Sequence, residues 1–283
     1  MTCEEGGLVL YYSHQCPFTA KYAPMIEAYC QEKGLIIKLK LLNSSEEAKN
    51  AGILFTTYSL FYNHKFITRE ILSVKKLDYK KEYKDLYLPK RSPMLINVDK
   101  ITYVTVDGKG NPNTSAEYKE ALELLYGISF TIKMSKMTDN KIDGYFEYVV
   151  PPLEGLWWLD KKPTEKVIGD KSKFYWKSMI RLPEFVTLEV FEHAKELLKV
   201  KKPYLNLDKV NYEIIEEGKC VQIMHLGSYD EENTSIEKIY QFIETQGLQI
   251  DLNEVRRHHE IYLSDPRKCK PENLKTVIRY PVK

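Results

Sequence analysis

Asn113-Thr114-Ser115-Ala116-Glu117, followed by Gly127, recurs as Asn233-Thr234-Ser235-Ile236-Glu237, followed at the same interval by Gly247. Each copy holds a Thr-x-x-Glu pattern, which predicts a helix start because hydroxyl and carboxylate can satisfy two orphan backbone donors reciprocally. The first helix places Tyr118, Leu122 and Leu125 on one face; the second places Ile236, Ile239, Tyr240 and Ile243. Gly247 reads as a helix stop and Gly127 as an interruption within a longer helix. The flanks repeat as well. Strand-like runs precede each helix (101–106 and 220–226), and two follow each (145–158 with 174–182, and 258–263 with 276–280). Two β-α-β-β units are therefore expected. An extra amphipathic helix at 187–199 lies between them, with Phe191, Ala194, Leu197 and Leu198 inward. Side by side, the units would form one curved antiparallel sheet with helices behind it and a central ligand cleft on the open face between the halves.

Within the second unit, His258-His259-Glu260-Ile261-Tyr262-Leu263-Ser264-Asp265-Pro266 reads as a strand and a turn. Ile261 and Leu263 alternate with Glu260 and Tyr262, so one face is apolar and the other carries a carboxylate and a phenol. A lone Glu on a strand is commonly its solvent side. Here its face also holds His258 and Tyr262, which can line a pocket.

Composition narrows the function classes. The 283 residues suffice for two domains, and a net charge of +2 gives no concentrated basic face for nucleic acid. No apolar run approaches membrane-span length and no leader is legible, so a cytoplasmic protein without a membrane partner is expected. Cys3, Cys16, Cys30, Cys220 and Cys269 are scattered, suggesting neither a disulfide framework nor a metal site. The 21 tyrosines suit pockets for flat ligands, having an apolar body and a polar tip. Oligomeric state is not legible.

Residues 8–12, a helix to about Lys33 ended by Gly34, a strand at 35–41, a short helix capped by Ser44 and Glu47, and a hairpin across Asn63-His64-Lys65 give a β-α-β-α-β-β order. With Cys16 at the mouth of the first helix, this order resembles a thioredoxin-like domain. Tyr12-Ser13-His14-Gln15-Cys16-Pro17-Phe18-Thr19 and Phe61-Tyr62-Asn63-His64-Lys65-Phe66 look like the version appended to YoaP-like acetyltransferases. Thr19 stands where a second redox cysteine would be, and no proline precedes the third strand near Phe55-Thr56-Thr57. Cys16 is the redox candidate, its thiolate favoured by the helix terminus; a buried, idle thiol is the alternative. Residues 79–92, charged and then proline-bearing, are expected as a linker between domains at 1–78 and 93–283.

The doubled region resembles the GyrI-like small-molecule-binding domain. The resemblance rests on Pro152-Leu153-Glu154-Gly155-Leu156-Trp157-Trp158, Ile180-Arg181-Leu182-Pro183, Gln222-Ile223-Met224-His225-Leu226-Gly227-Ser228-Tyr229, the 258–266 stretch and Lys275 to Val282. These segments look similar to a subgroup that hydrolyses cyclopropane-bearing DNA alkylators. The resemblance implies that Glu260 projects into the ligand cleft.

Glu260 is then expected to activate water as a general base, its pKa raised in a dry aromatic cleft. Tyr262, Tyr148 or Tyr280 would donate to the developing oxyanion. Trp157 and Trp176 would stack on an aromatic, hydrophobic ligand, with Met224 filling gaps. No cofactor is required. Trp157 and Trp158 are adjacent on a strand, so only one can face the cleft; Gly155 on the same face favours Trp157. His225 is expected as a core or rim histidine, His258 and His259 not as metal ligands, and Glu147 and Glu154 as solvent-facing or turn residues, Glu154 lying near the cleft in the motif. The same pocket read without chemistry is a binding or sensing module for cationic drugs, held by charge and cation–π attraction, or a protein acting on a partner such as gyrase.

Overall fold

The computed structural model describes residues 6–14, 17–50, 58–68, 76–137, 142–159 and 171–283. The chain divides into two compact units, Met1–Lys76 and Leu77–Lys283. Among the described residues, no helix is long and apolar enough to cross a membrane.

The first unit runs β1 (Leu8–Tyr12), α1 (Pro17–Glu32), β2 (Ile37–Leu41), α2 (Ser45–Asn50), β3 (Tyr58–Tyr62) and β4 (Lys65–Thr68). Its sheet has the order β2-β1-β3-β4; β1 and β2 are parallel and the other pairs antiparallel. Asn63 and His64 both take positive φ, as a tight two-residue hairpin turn requires. Thr19 is fully buried and its hydroxyl donates to the Ser13 carbonyl. Burial pushes the Cys30 thiol up. Cys16 lies outside the described residues.

The second unit begins where a linker was expected. Residues 79–87 instead form α3 (Tyr79–Glu82) and α4 (Lys84–Tyr87), with Tyr79 and Tyr87 buried in the unit's own core. The Arg181 guanidinium lies over the Tyr79 and Tyr83 rings at 4.6 and 4.4 Å, and Glu184 accepts from the Tyr79 hydroxyl at 2.6 Å. Charged surface residues between these tyrosines disguise an apolar side that the sheet covers.

There follow β5 (Met94–Val98), β6 (Ile101–Lys109), α5 (Ala116–Met134), β7 (Leu153–Leu159), β8 (Phe174–Arg181), α6 (Leu188–Lys201), β9 (Asn211–Ile215), β10 (Gly218–Leu226), α7 (Asn233–Thr245), β11 (His258–Tyr262) and β12 (Lys275–Pro281). The antiparallel sheet has the order β5-β10-β12-β11-β7-β8-β6-β9. Each half contributes three strands in mirrored order, and β11 pairs with β7 at the seam. Strands β5 and β9, not anticipated from sequence, are exchanged: each pairs with the first strand of the other half. Only Asp99 and Lys100 join β5 to β6, and only Glu216 and Glu217 join β9 to β10. Three peptide steps reach at most about 11 Å. Both ends of the eight-strand sheet must therefore approach each other, and the sheet curls into a half-barrel.

The helix starts differ from the expected boxes. Ser115, not Thr114, caps α5, accepting from the Tyr118 amide at 3.2 Å. Helix α7 begins two residues earlier than expected, at Asn233, and the reciprocal capping box belongs to Ser228 and Glu231 just ahead of it. Helix α5 runs through Gly127, where an added Cβ would sit 2.8 Å from a Leu198 methyl. That glycine lets α6 pack closely.

On the face opposite α5 and α7 lies a buried polar network. Fully buried His259 has Nδ1 at 2.9 Å from Glu217 Oε2 and Nε2 at 3.0 Å from Glu154 Oε2. Arg279 pairs with Glu217 and donates to Gln222 Oε1 and the Leu86 carbonyl at 3.1 and 3.2 Å. The Tyr87 and Tyr103 hydroxyls donate to Glu154 at 3.3 Å. Glu154 is thus a core residue, not the solvent-facing or turn residue expected, because two phenols and an imidazole replace its water. Glu147 is likewise buried, paired with Lys136. Burial works against charge on His259, but Glu217 and Glu154 outweigh it and push the imidazole up to about 9. Burial would raise Glu217, yet Arg279 and His259 hold it at about 2.

A raised folded-state pKa on His259 means that its stabilisation is complete below the ordinary histidine value and is lost as pH rises through about 9. Denaturant titrations should lose up to about 3 kcal/mol between pH 7 and 10 from this group. His259→Gln should start about 3 kcal/mol or more lower, with two buried carboxylates underpaired, and should lack that part of the slope. An identical slope in the variant would assign the dependence to other groups.

Candidate ligand cavity

At the seam, β11 and β7 set Glu260 opposite Gly155 and His258 opposite Trp157. Strand alternation sends His258, Glu260, Tyr262, Gly155 and Trp157 to the face that carries α5 and α7. These helices, one from each half, stand apart over the seam and leave a cavity of about 1290 Å³. The cleft therefore lies between the helices, not on an open face away from them; α3, α4 and the polar network occupy that other face. Helix α5 lines the cavity with Tyr118, Leu122, Tyr126 and Phe130, one row at a spacing of four. Glu232, Asn233 and Ile236 close the opposite side.

Glu260 is held on both oxygens. His258 Nε2 is 2.8 Å from Oε1, and the Tyr262 hydroxyl donates to Oε2 at 2.7 Å. Trp157 Nε1 donates to the Tyr262 oxygen at 2.9 Å. Gly155 makes this relay possible: a Cβ there would lie 2.7 Å from Trp157 Nε1 and 3.4 Å from the Tyr262 oxygen.

The expected upward shift of Glu260 is reversed. Burial does pull the carboxyl up, but hydrogen bonding and charge from His258, then hydrogen bonds from Tyr262 and Glu232, bring it below the ordinary carboxylate value. The raised carboxyl is Glu232, pushed well up by burial and by the Glu260 charge beside it. Glu232 escaped the sequence reading because Asp230-Glu231-Glu232 looks like a solvated acidic run ahead of a helix. Of the α5 row, the sequence reading places Tyr118 and Leu122 on one helical face but does not name Tyr126 or Phe130.

Of the residues proposed from sequence, Glu260, Tyr262 and Trp157 line the cavity, and four do not. Trp176 is fully buried, its ring over Gly108, where a Cβ would lie 2.2 Å away, and edge-on to Tyr118 at 4.9 Å. Met224 alternates with Ile223 and His225 and points to the opposite face, as does the buried Tyr148 cluster. Tyr280 is on the cavity side but beneath α7, packed on Tyr240 and backing the His258 ring at 4.7 Å. Trp158 turns to the other face and stacks on Tyr175. His225 is a satisfied core histidine, bonded to Ser235 Oγ at 2.9 Å and the Ser228 carbonyl at 3.0 Å. Among the described residues, no three His, Cys, Asp or Glu side chains are grouped to hold a metal ion.

A curled duplicated sheet with an aromatic cavity and an embedded carboxylate at its seam defines a small-molecule-binding class of protein. Residues 91–283 match the GyrI-like small molecule binding domain, and the chain belongs to that family. A hydrolase from Listeria innocua is 47% identical, with a TM-score of 0.67, across 74% of this chain and all of its own. An uncharacterized conserved protein from the same organism is 48% identical, with a TM-score of 0.69 and the same coverages. Residues 37–79 match a YoaP-like family. The uncharacterized N-acetyltransferase YoaP of Bacillus subtilis is 34% identical over 74 residues, and this chain spans only 30% of its length.

Gly155→Ala should force Trp157 off Tyr262 and cost about 1–3 kcal/mol of stability by overpacking. Denaturant titration together with tryptophan emission will read both effects. An unperturbed emission spectrum would mean that the indole does not depend on the missing Cβ.

Proposed function

We propose that the second unit hydrolyses flat, hydrophobic molecules bearing a strained cyclopropane, with Glu260 as the base that activates water. The carrying observation is the Glu260 carboxylate, held by His258 and Tyr262 at the wall of an aromatic cavity. A carboxylate has about four lone-pair sites. His258 and Tyr262 occupy two, which leaves room for a water in the cavity. With its pKa lowered, Glu260 is always ready but weakly basic. Such a base suits addition of water to an electrophile already activated by ring strain and conjugation. Trp157 and the α5 row supply the flat apolar walls. The hydrolase-named relative supports this reading.

We read residues 1–78 as a thioredoxin-like domain. The parallel β1–β2 pair joined through α1 and the β3–β4 hairpin support it. Cys16 is its one candidate for redox or conjugation chemistry.

Incubation of the protein with a cyclopropane-bearing DNA alkylator should yield a product heavier by one water in a mass-spectrometric time course. Glu260→Gln should slow that conversion about 10²–10⁴-fold. Binding of intact compound by both proteins, without conversion, would make the cavity a binding or sensing module instead.

A further inference from the structure

Glu232 lies in the cavity wall beside Glu260, immediately before the first residue of α7. Its residue is 8% exposed, and its Oε1 is buried with no hydrogen-bond partner. Two carboxyls buried on one cavity wall repel when both are charged, so one of them keeps a proton. The neighbours decide which one. Glu260 receives donors from His258 and Tyr262, and Glu232 receives neither. Lys171, a cation whose charge acts on Glu232, is paired with Asp230 at 2.7 Å. The phenols of Tyr118 on α5, Tyr229 in the preceding turn and Tyr280 on β12 are neutral, and Asp230 and Asp265 add negative charge around the pair. The N-terminal position on α7 favours an ionised Glu232 by only about 0.3–1 kcal/mol, against burial beside a carboxylate. The proton rests on Glu232.

We propose that Glu232 is the acid whose partner base is Glu260, a role that rests on the hydrolytic reading above. The step balances without another reactant. A water proton passes to Glu260 as the water oxygen bonds to the ring carbon. The ring C–C bond breaks, and its electron pair runs through the conjugated system to the ligand's carbonyl oxygen. That oxygen takes the Glu232 proton. Glu260 is left protonated and Glu232 charged, and proton transfer from the first to the second restores the resting pair.

The test is the pH dependence of kcat on the same alkylator for wild type, Glu232→Gln and Glu232→Asp, with ¹³C NMR of glutamate-labelled protein. Wild-type kcat should fall on the alkaline side as Glu232 ionises. Glu232→Gln, which keeps size and neutrality but has no acidic proton, should lower kcat about 10²-fold or more with KM nearly unchanged and lose that alkaline limb. Glu232→Asp should recover part of the rate with the limb displaced. A neutral-form carboxyl resonance at pH 7 should be present in wild type and missing from Glu232→Gln. Full activity with the limb intact in Glu232→Gln, or no neutral carboxyl in wild type, overturns the acid role alone. No turnover by wild type overturns the hydrolytic reading and this role with it.

Discussion

Alternation along β11 is the constraint on which the rest depends. Successive side chains of a strand leave on opposite faces, so the adjacent His258 and His259 serve different compartments. His258 goes to the cavity and braces Glu260. His259 goes to the closed face and ties Glu154, on β7, to Glu217, in the connection just before β10. One strand therefore positions the site and locks the sheet beneath it. A slip of one residue would put Glu260 into the polar network and His259 into the cavity, with every charge mispaired.

The exchange of β5 and β9 supplies the second element of the design. Each half completes the other's edge, and the very short β5–β6 and β9–β10 connections draw those edges together. The resulting curl spreads α5 and α7 apart over the seam. The cavity is the space two helices leave when the sheet beneath them bends, walled by one α5 row whose members contact each other only every fourth residue.

Burial raises both carboxyls inside that space, and hydrogen bonding decides which one stays up. Two carboxyls of similar depth are driven apart in pKa, the one with two donors downward and the one without them upward. This partition is a property of the pair, and it converts two similar side chains into different chemical groups.

The sequence alone carried the duplicated β-α-β-β order, the apolar faces of α5, α6 and α7, and the alternation that put Glu260, Tyr262 and Trp157 on one side of a strand. These are local periodicities, and local backbone geometry enforces them. Tertiary structure decided the rest. Trp176 became core because Gly108, nearly seventy residues earlier, left room for its ring across the strand pair. Met224 and Tyr148 fell on the closed face because register is set between strands, not within one. Glu154 and Glu232 look solvated in sequence and are buried because their partners — phenols, an imidazole and another carboxyl — arrive from distant segments. The short helices at 79–87 formed for the same reason: Tyr79 and Tyr87 find their apolar cover only once the sheet exists.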